Sequence, residues 1–109
     1  RNNWYPGQML SDSAYRERRL DVLAARARQA FLEYQPLRPD PRDPWRIFRS
    51  FSRGPLLELF LLDERSYRSA NGPNRQERPG RETAFLGSRQ VEWLRSRLRA
   101  SRATWKVIA

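Results

Sequence analysis

The alternation of apolar and polar positions divides the chain into four periodic stretches, separated by polar or proline-rich connections. The first covers residues 11–35. Leu20, Leu23, Ala24, Ala27, Phe31 and Tyr34 recur at close to 3.6-residue spacing, which predicts a helix with one apolar face. Ser11, Asp12 or Ser13 can cap its start, and Asp12 and Glu17 lie near its positive end. Arg16, Arg18, Arg19, Arg26 and Arg28 fall mostly off the stripe. Such a stripe serves a core face far more often than a partner-binding one. Pro36 biases the residue before it away from helical backbone and ends the element. Pro36, Pro39, Pro41 and Pro44 then impose an extended connection, better read as a rigid surface linker than as a ligand for a proline-recognition module.

Residues 45–62 predict two strands. Trp45, Ile47 and Phe51 project one way, with Arg46, Phe48 and Ser50 alternating between them. Arg53-Gly54-Pro55 is the turn. Leu56 to Leu62 form an apolar run broken only by Glu58, the mark of a strand buried on both faces. The short connection fits an antiparallel hairpin. Residues 69–84, with Asn71-Gly72-Pro73-Asn74, Arg75, Arg78, Pro79-Gly80 and Arg81, read as a flexible basic loop. Gly87 then caps a second helix, with Gln90 at the position from which a side-chain amide can reach back to the cap. Val91, Leu94 and Leu98 line one face, and Arg95, Arg97, Arg99 and Arg102 take mainly the other positions. Thr104, Trp105, Lys106, Val107 and Ile108 switch to β-branched and aromatic strand chemistry. Helix, hairpin, helix and strand together give an α/β class.

Composition narrows the chemistry. The 109 residues leave room for one small domain. Lys and Arg number 22 against 12 Asp and Glu, a net charge of +10, and Lys106 is the only lysine. A cationic surface of this kind suits anions, whether nucleic acid or phosphate esters. The arginines are spread along the whole chain and form no tract, which also fits simple solvation. Hydrophobic content is 39% and mean hydropathy −0.91, lean for a self-sufficient core. No apolar run approaches the ~20 residues of a membrane span. Cysteine is absent, so there is no disulfide framework. Histidine is absent too, which excludes His-based zinc sites and Ser-His-Asp triads within these residues. Carboxylates, Asn, Tyr and Arg remain.

Asp63-Glu64-Arg65-Ser66-Tyr67-Arg68 comes directly after the apolar run. Polar residues just past the carboxyl end of a buried strand are where α/β folds tend to place ligand chemistry. In an extended chain Asp63 and Arg65 point to the same side. Two arrangements stay open: Asp63 orients an Arg65 guanidinium that faces an anion, or the two close a structural salt bridge that pins the loop. Asn2 and Asn3, taken alone, are turn chemistry.

Leu86-Gly87, Gln90, Trp93-Leu94 and residues 101–109, ending Ala-Thr-Trp-Lys-Val-Ile-Ala, resemble the PhoD-like alkaline phosphatases, metal-dependent phosphomonoesterases and phosphodiesterases. Arg1-Asn2-Asn3-Trp4-Tyr5 resembles the tail of that family's Asp-Asp-His-Glu segment. Residues 62–68 resemble its Leu-Asp-Thr-Arg followed by Tyr-Arg, with Glu64 in place of the usual small polar residue. The resemblance implies a partial four-layer metallophosphatase sandwich, in which this chain supplies an outer helix, a hairpin, a covering helix and a further strand. Residues 1–109 are expected to be an incomplete fragment of the catalytic domain, inactive by itself and prone to self-association. The complete enzyme is implied to be exported and to hydrolyse phosphate esters with iron and calcium; no cofactor is expected for the fragment. On that reading Asp63 and Arg65 are catalytic, Asn3 and Arg68 bind substrate, and Asn2 touches metal.

The rival class is a small basic nucleic-acid-binding module, for which aromatic and Arg side chains are available. Scattered arginines predict only weak, non-specific, salt-dependent contact with polyanions, so no specific nucleic acid is expected. A purely helical interaction protein leaves the apolar run at 56–62 unexplained.

Overall fold

The computed structural model describes residues 2–73 and 75–109. Arg1 and Asn74, named above in the opening motif and in the basic loop, lie outside the described residues. The elements are helix α1 (Leu20–Tyr34), strands β1 (Arg49–Arg53) and β2 (Leu57–Leu61), a short 3-10 turn (Arg81–Thr83), helix α2 (Ser88–Ala100) and strand β3 (Trp105–Ile108). The chain is an α/β assembly of two helices and a three-stranded mixed sheet in the order β1-β2-β3.

β1 and β2 form the antiparallel hairpin expected from the sequence, with Phe51 opposite Leu59 and Arg53 opposite Leu57. Gly54 turns the chain at φ +58°, a left-handed backbone that side chains with a Cβ rarely adopt. β3 runs parallel to β2, with Leu57 opposite Trp105 and Phe60 opposite Ile108. A parallel partner cannot be reached through a tight turn. The chain between the two strands therefore makes a long crossover, and α2 lies within it.

The register divides the sheet into two unlike faces. Glu58 and Phe60 share one face with Ser50, Ser52, Lys106 and Ile108. Phe60 is fully buried. The Trp93 ring of α2 stands 6.4 Å from the Phe60 ring and 4.9 Å from that of Phe48, which is also buried. On the other face, Phe51, Leu59 and Val107 align across the strands, as do Leu57 and Trp105. That face is open: Trp105 is 69% exposed and Val107 44%. β2 is thus buried on one side and only half-covered on the other, not buried on both faces as its apolar run suggests, and Leu56 just ahead of it is exposed.

Three details differ from the sequence reading. α1 begins at Leu20, not near residue 11. The capping candidate Asp12 instead closes a local turn, accepting the Ala14 N–H at 2.9 Å. Residues 8–10 then pair back on 18–20: Leu10 N–H donates to Arg18 O, Leu20 N–H to Gln8 O, and Arg18 Nε to Leu10 O. This fold-back buries Leu10 and leaves Arg19 as the N-cap, its carbonyl accepting the first helical bond from Leu23 N–H. Ahead of β1, the deeply buried side chain is Phe48, while Trp45 and Phe51 of the alternate set are largely exposed. Aromatic contact with Trp93 and Tyr67 decides that parity. On α2 the inward face centres on Gln90, Trp93 and Leu94, and Val91 sits at its exposed edge.

Gly87 begins α2 at φ +73°. A Cβ there would lie 2.8 Å from Tyr67 Cβ and 3.2 Å from Tyr67 O. The position thus demands glycine twice, for its backbone angle and for the close approach of the 63–68 loop. Gly87→Ala should lower the unfolding free energy by about 2–4 kcal/mol, combining backbone strain and overpacking. Urea titration of the two proteins measures this; equal midpoints would mean that the Tyr67 loop stands off from the helix start.

Candidate functional site

The parallel pairing of β2 and β3 places their carboxyl ends side by side, and Leu62 N–H donates to Ala109 O at 2.7 Å. Asp63 comes next. The residue is 7% exposed, and its Oδ1 accepts the backbone N–H groups of Arg65 at 3.0 Å and Ser66 at 2.9 Å. A carboxylate that receives two main-chain donors bends the chain into a compact turn. The Asp63 peptide is in turn held by Gln90 of α2. Gln90 Oε1 accepts the Asp63 N–H at 2.7 Å, and its Nε2 donates to Asp63 O and to Leu86 O, each at 2.9 Å. The Gln90 amide therefore does not reach the Gly87 cap itself; it bridges the residue before the cap to the end of β2.

Neither side-chain arrangement foreseen for Asp63 and Arg65 describes their hydrogen bonds. The bond between them runs to the Arg65 backbone, and among the described residues no ion pair involves Arg65. Half-buried Arg65 lies with Asp63 and Ser66 on the wall of a groove of about 380 Å³. Trp4, Leu10, Leu20, Leu23 and Phe31 supply much of its apolar lining. Arg28, from the polar flank of α1, reaches the same wall and donates from Nη2 to Ser66 Oγ at 2.7 Å. Two guanidinium groups and one carboxylate thus border one mostly apolar depression. Such a border favours an anion over a cation.

The two residues expected to bind substrate are joined through a third. Arg68 Nη2 donates to Asn71 Oδ1 at 2.6 Å, and Asn71 Nδ2 donates to Asn3 O at 2.9 Å. The Arg68 guanidinium also sits 5.5 Å from the Phe85 ring centre, a cation–π contact, while its buried Nε has no hydrogen-bond partner. Asn3 holds a left-handed backbone at φ 52°, which Asn tolerates better than most residues. Asn2 is exposed beside it. The opening loop and the loop past β2 are thus neighbours: Asn3 touches Asn71, and Trp4 lines the groove with Asp63 and Arg65.

Among the described residues no group of three His, Cys, Asp or Glu side chains could hold a metal ion. Asp63 Oδ1 is already engaged by two amides. The carboxylates of the described residues therefore do not by themselves gather into an iron or calcium site.

Arg28, Ser66, Asn71 and Gln90 joined the site without having been singled out for it. Arg28 reads from the pattern as a solvated residue off the α1 stripe. Gln90 carried a usable signal: it is an amide on the face otherwise formed by Trp93 and Leu94, and a polar residue there requires buried partners.

The PhoD-like phosphatase family model matches residues 1–109. No curated protein matches the chain. The solved structure of PhoD is similar, with a TM-score of 0.67 and 29% sequence identity over 98% of this chain. The aligned region is 22% of that chain, so the present sequence spans about a fifth of its length.

Tyr67 lies between the site and the core, its ring 5.5 Å from that of Phe48. Burial pushes its phenol pKa above the ordinary value, and the Asp63 and Asp43 carboxylates add to the rise against Arg89 and Arg28. The folded protein therefore holds this proton more tightly than the unfolded chain. The contribution to stability is complete below the unfolded value of about 10 and is lost as pH rises through the folded value. Tyr67→Phe should weaken the alkaline loss of stability. Urea unfolding at about pH 8 and about pH 11 tests this; an identical drop in both proteins would mean that Tyr67 is as free to ionise folded as unfolded.

Proposed function

The chain belongs to the PhoD-like phosphatases, and on that footing we propose that it forms part of the catalytic domain of a metal-dependent phosphate-ester hydrolase. The family match across residues 1–109 carries the reading. The arrangement at the carboxyl ends of β2 and β3 supports it: a cationic border beside a groove, at the position where α/β sheets gather ligand chemistry. Phosphate monoesters and diesters are the substrate class. Iron and calcium would be held largely by residues outside this chain, with Asn2 at the rim, and would supply Lewis-acid chemistry. Export of the complete protein is part of the same reading.

Within this chain, Arg65 is the residue proposed to meet the phosphoryl oxygens. Its planar fork suits a phosphate, and its backbone is fixed by Asp63 rather than its side chain being neutralised. Arg68 and Asn3 would steady the substrate from the adjoining loop. The 109 residues alone would be inert, and the open sheet face carrying Leu59, Val107 and Trp105 would favour self-association.

A basic nucleic-acid module gains no comparable footing, because the family match favours the phosphatase reading and the arginines are spread along the chain without forming a tract. The test uses the complete polypeptide that carries these residues, assayed on a chromogenic phosphate monoester and diester. Arg65→Lys should lower kcat/KM roughly tenfold or more, about 1.4 kcal/mol of transition-state stabilisation, while the melt stays nearly unchanged. A lowered melt with full activity in the surviving enzyme would make Arg65 structural.

A further inference from the structure

We infer that Gln90 is a positioning residue for the reaction, acting through the Asp63–Arg65 turn without touching substrate. The inference rests on the function proposed above. Gln90 is completely buried, yet it belongs to a helix whose other inward residues are apolar. A buried primary amide must find partners for one acceptor and two donors. All three partners are main-chain groups: Asp63 N–H, Asp63 O and Leu86 O. The side chain thus pairs with both polar groups of one peptide residue, as a neighbouring strand would, at the point where β2 has stopped.

The identity of the clamped residue makes this more than packing. Gln90 holds the one residue whose carboxylate gathers the N–H groups of Arg65 and Ser66. Ser66 Oγ in turn accepts from Arg28 of α1. One amide on α2 therefore fixes the turn that carries Arg65 and the Ser66 hydroxyl to which Arg28 of α1 donates. The aromatic core lies alongside through Trp93 but makes no hydrogen bond to this peptide; hydrophobic contact alone is non-directional and would leave the turn free to rock.

The distinction from a merely structural glutamine is measurable. Let kcat/KM be compared for wild type, Gln90→Met, Arg65→Ala and the double variant of the complete polypeptide, on one phosphate ester. Met matches the length of Gln but offers neither the donors nor a good acceptor. Gln90→Met should lower kcat/KM about tenfold or more, mainly through kcat, and its effect should shrink to about twofold or less when Arg65 is already replaced. Gln90→Asn keeps the amide donors and acceptor on a stem one methylene shorter that cannot reach all three main-chain groups, so it should fall between wild type and Met; it also serves if the Met variant does not fold.

An equal loss from Gln90→Met with and without the Arg65→Ala substitution would overturn the positioning role, as would variants that melt lower yet retain wild-type kcat/KM. Turnover by wild type with those outcomes would leave the phosphatase reading intact. Absence of turnover by wild type would overturn both.

Discussion

The parallel alignment of β3 with β2 is the constraint on which the rest of the arrangement depends. Parallel neighbours require a crossover, so the residues between them must leave the end of β2, pass over the sheet and return to its beginning. α2 is the α-helical part of that path, and it covers the face bearing Phe60 through Trp93. The same geometry puts the carboxyl ends of both strands together, as the bond from Leu62 N–H to Ala109 O records. Every charged residue of the 63–68 loop is therefore delivered to one edge of the sheet. Burial of Phe48 and Phe60 and placement of the Asp63 turn are two consequences of one pairing.

The order of elements was legible because each signal was local. Gly54 marks a turn that needs a left-handed residue, and the leucine run marks β2. The helix start at Leu20 was not legible from residue types: Asp12 suits a helix cap and a local turn equally well, and long-range pairing of residues 8–10 with 18–20 decided for the turn. Strand parity around Phe48 failed for a related reason. Alternation identifies two faces, but only contact with Trp93, far along the chain, says which one is inside. Of the site, the position of Asp63 and Arg65 at the end of a buried strand was readable. Their bonding was not, since a carboxylate with an Arg two residues later looks the same whether it binds guanidinium or main-chain amide.

Charge divides into two populations. Arg89 pairs with Asp43 while still 63% exposed, and contacts of that kind contribute little because water screens them. Arg28 on the groove wall and Arg68 in the adjoining loop are held differently, by hydroxyl, amide or aromatic partners that leave their charge uncompensated. Net charge of +10 alone does not distinguish these populations. The distinction comes from which partner each guanidinium finds; Arg49, which does not line the groove, likewise takes neutral partners, the carbonyls of Arg38, Arg46 and Ile47.

That contrast explains why an amide, and not an ion, occupies position 90. The groups to be satisfied there are a donor and two acceptors, all neutral and all removed from water. A buried Lys or Arg could satisfy only the acceptors, and a carboxylate only the donor. A carboxylate would also set a like charge beside Asp63, and either ion would be desolvated at a cost of several kcal/mol. Glutamine meets the whole set without adding charge. The field at the groove is then left to Asp63, Arg65 and Arg28, whose positions are fixed by hydrogen bonds that carry none of their own net charge away.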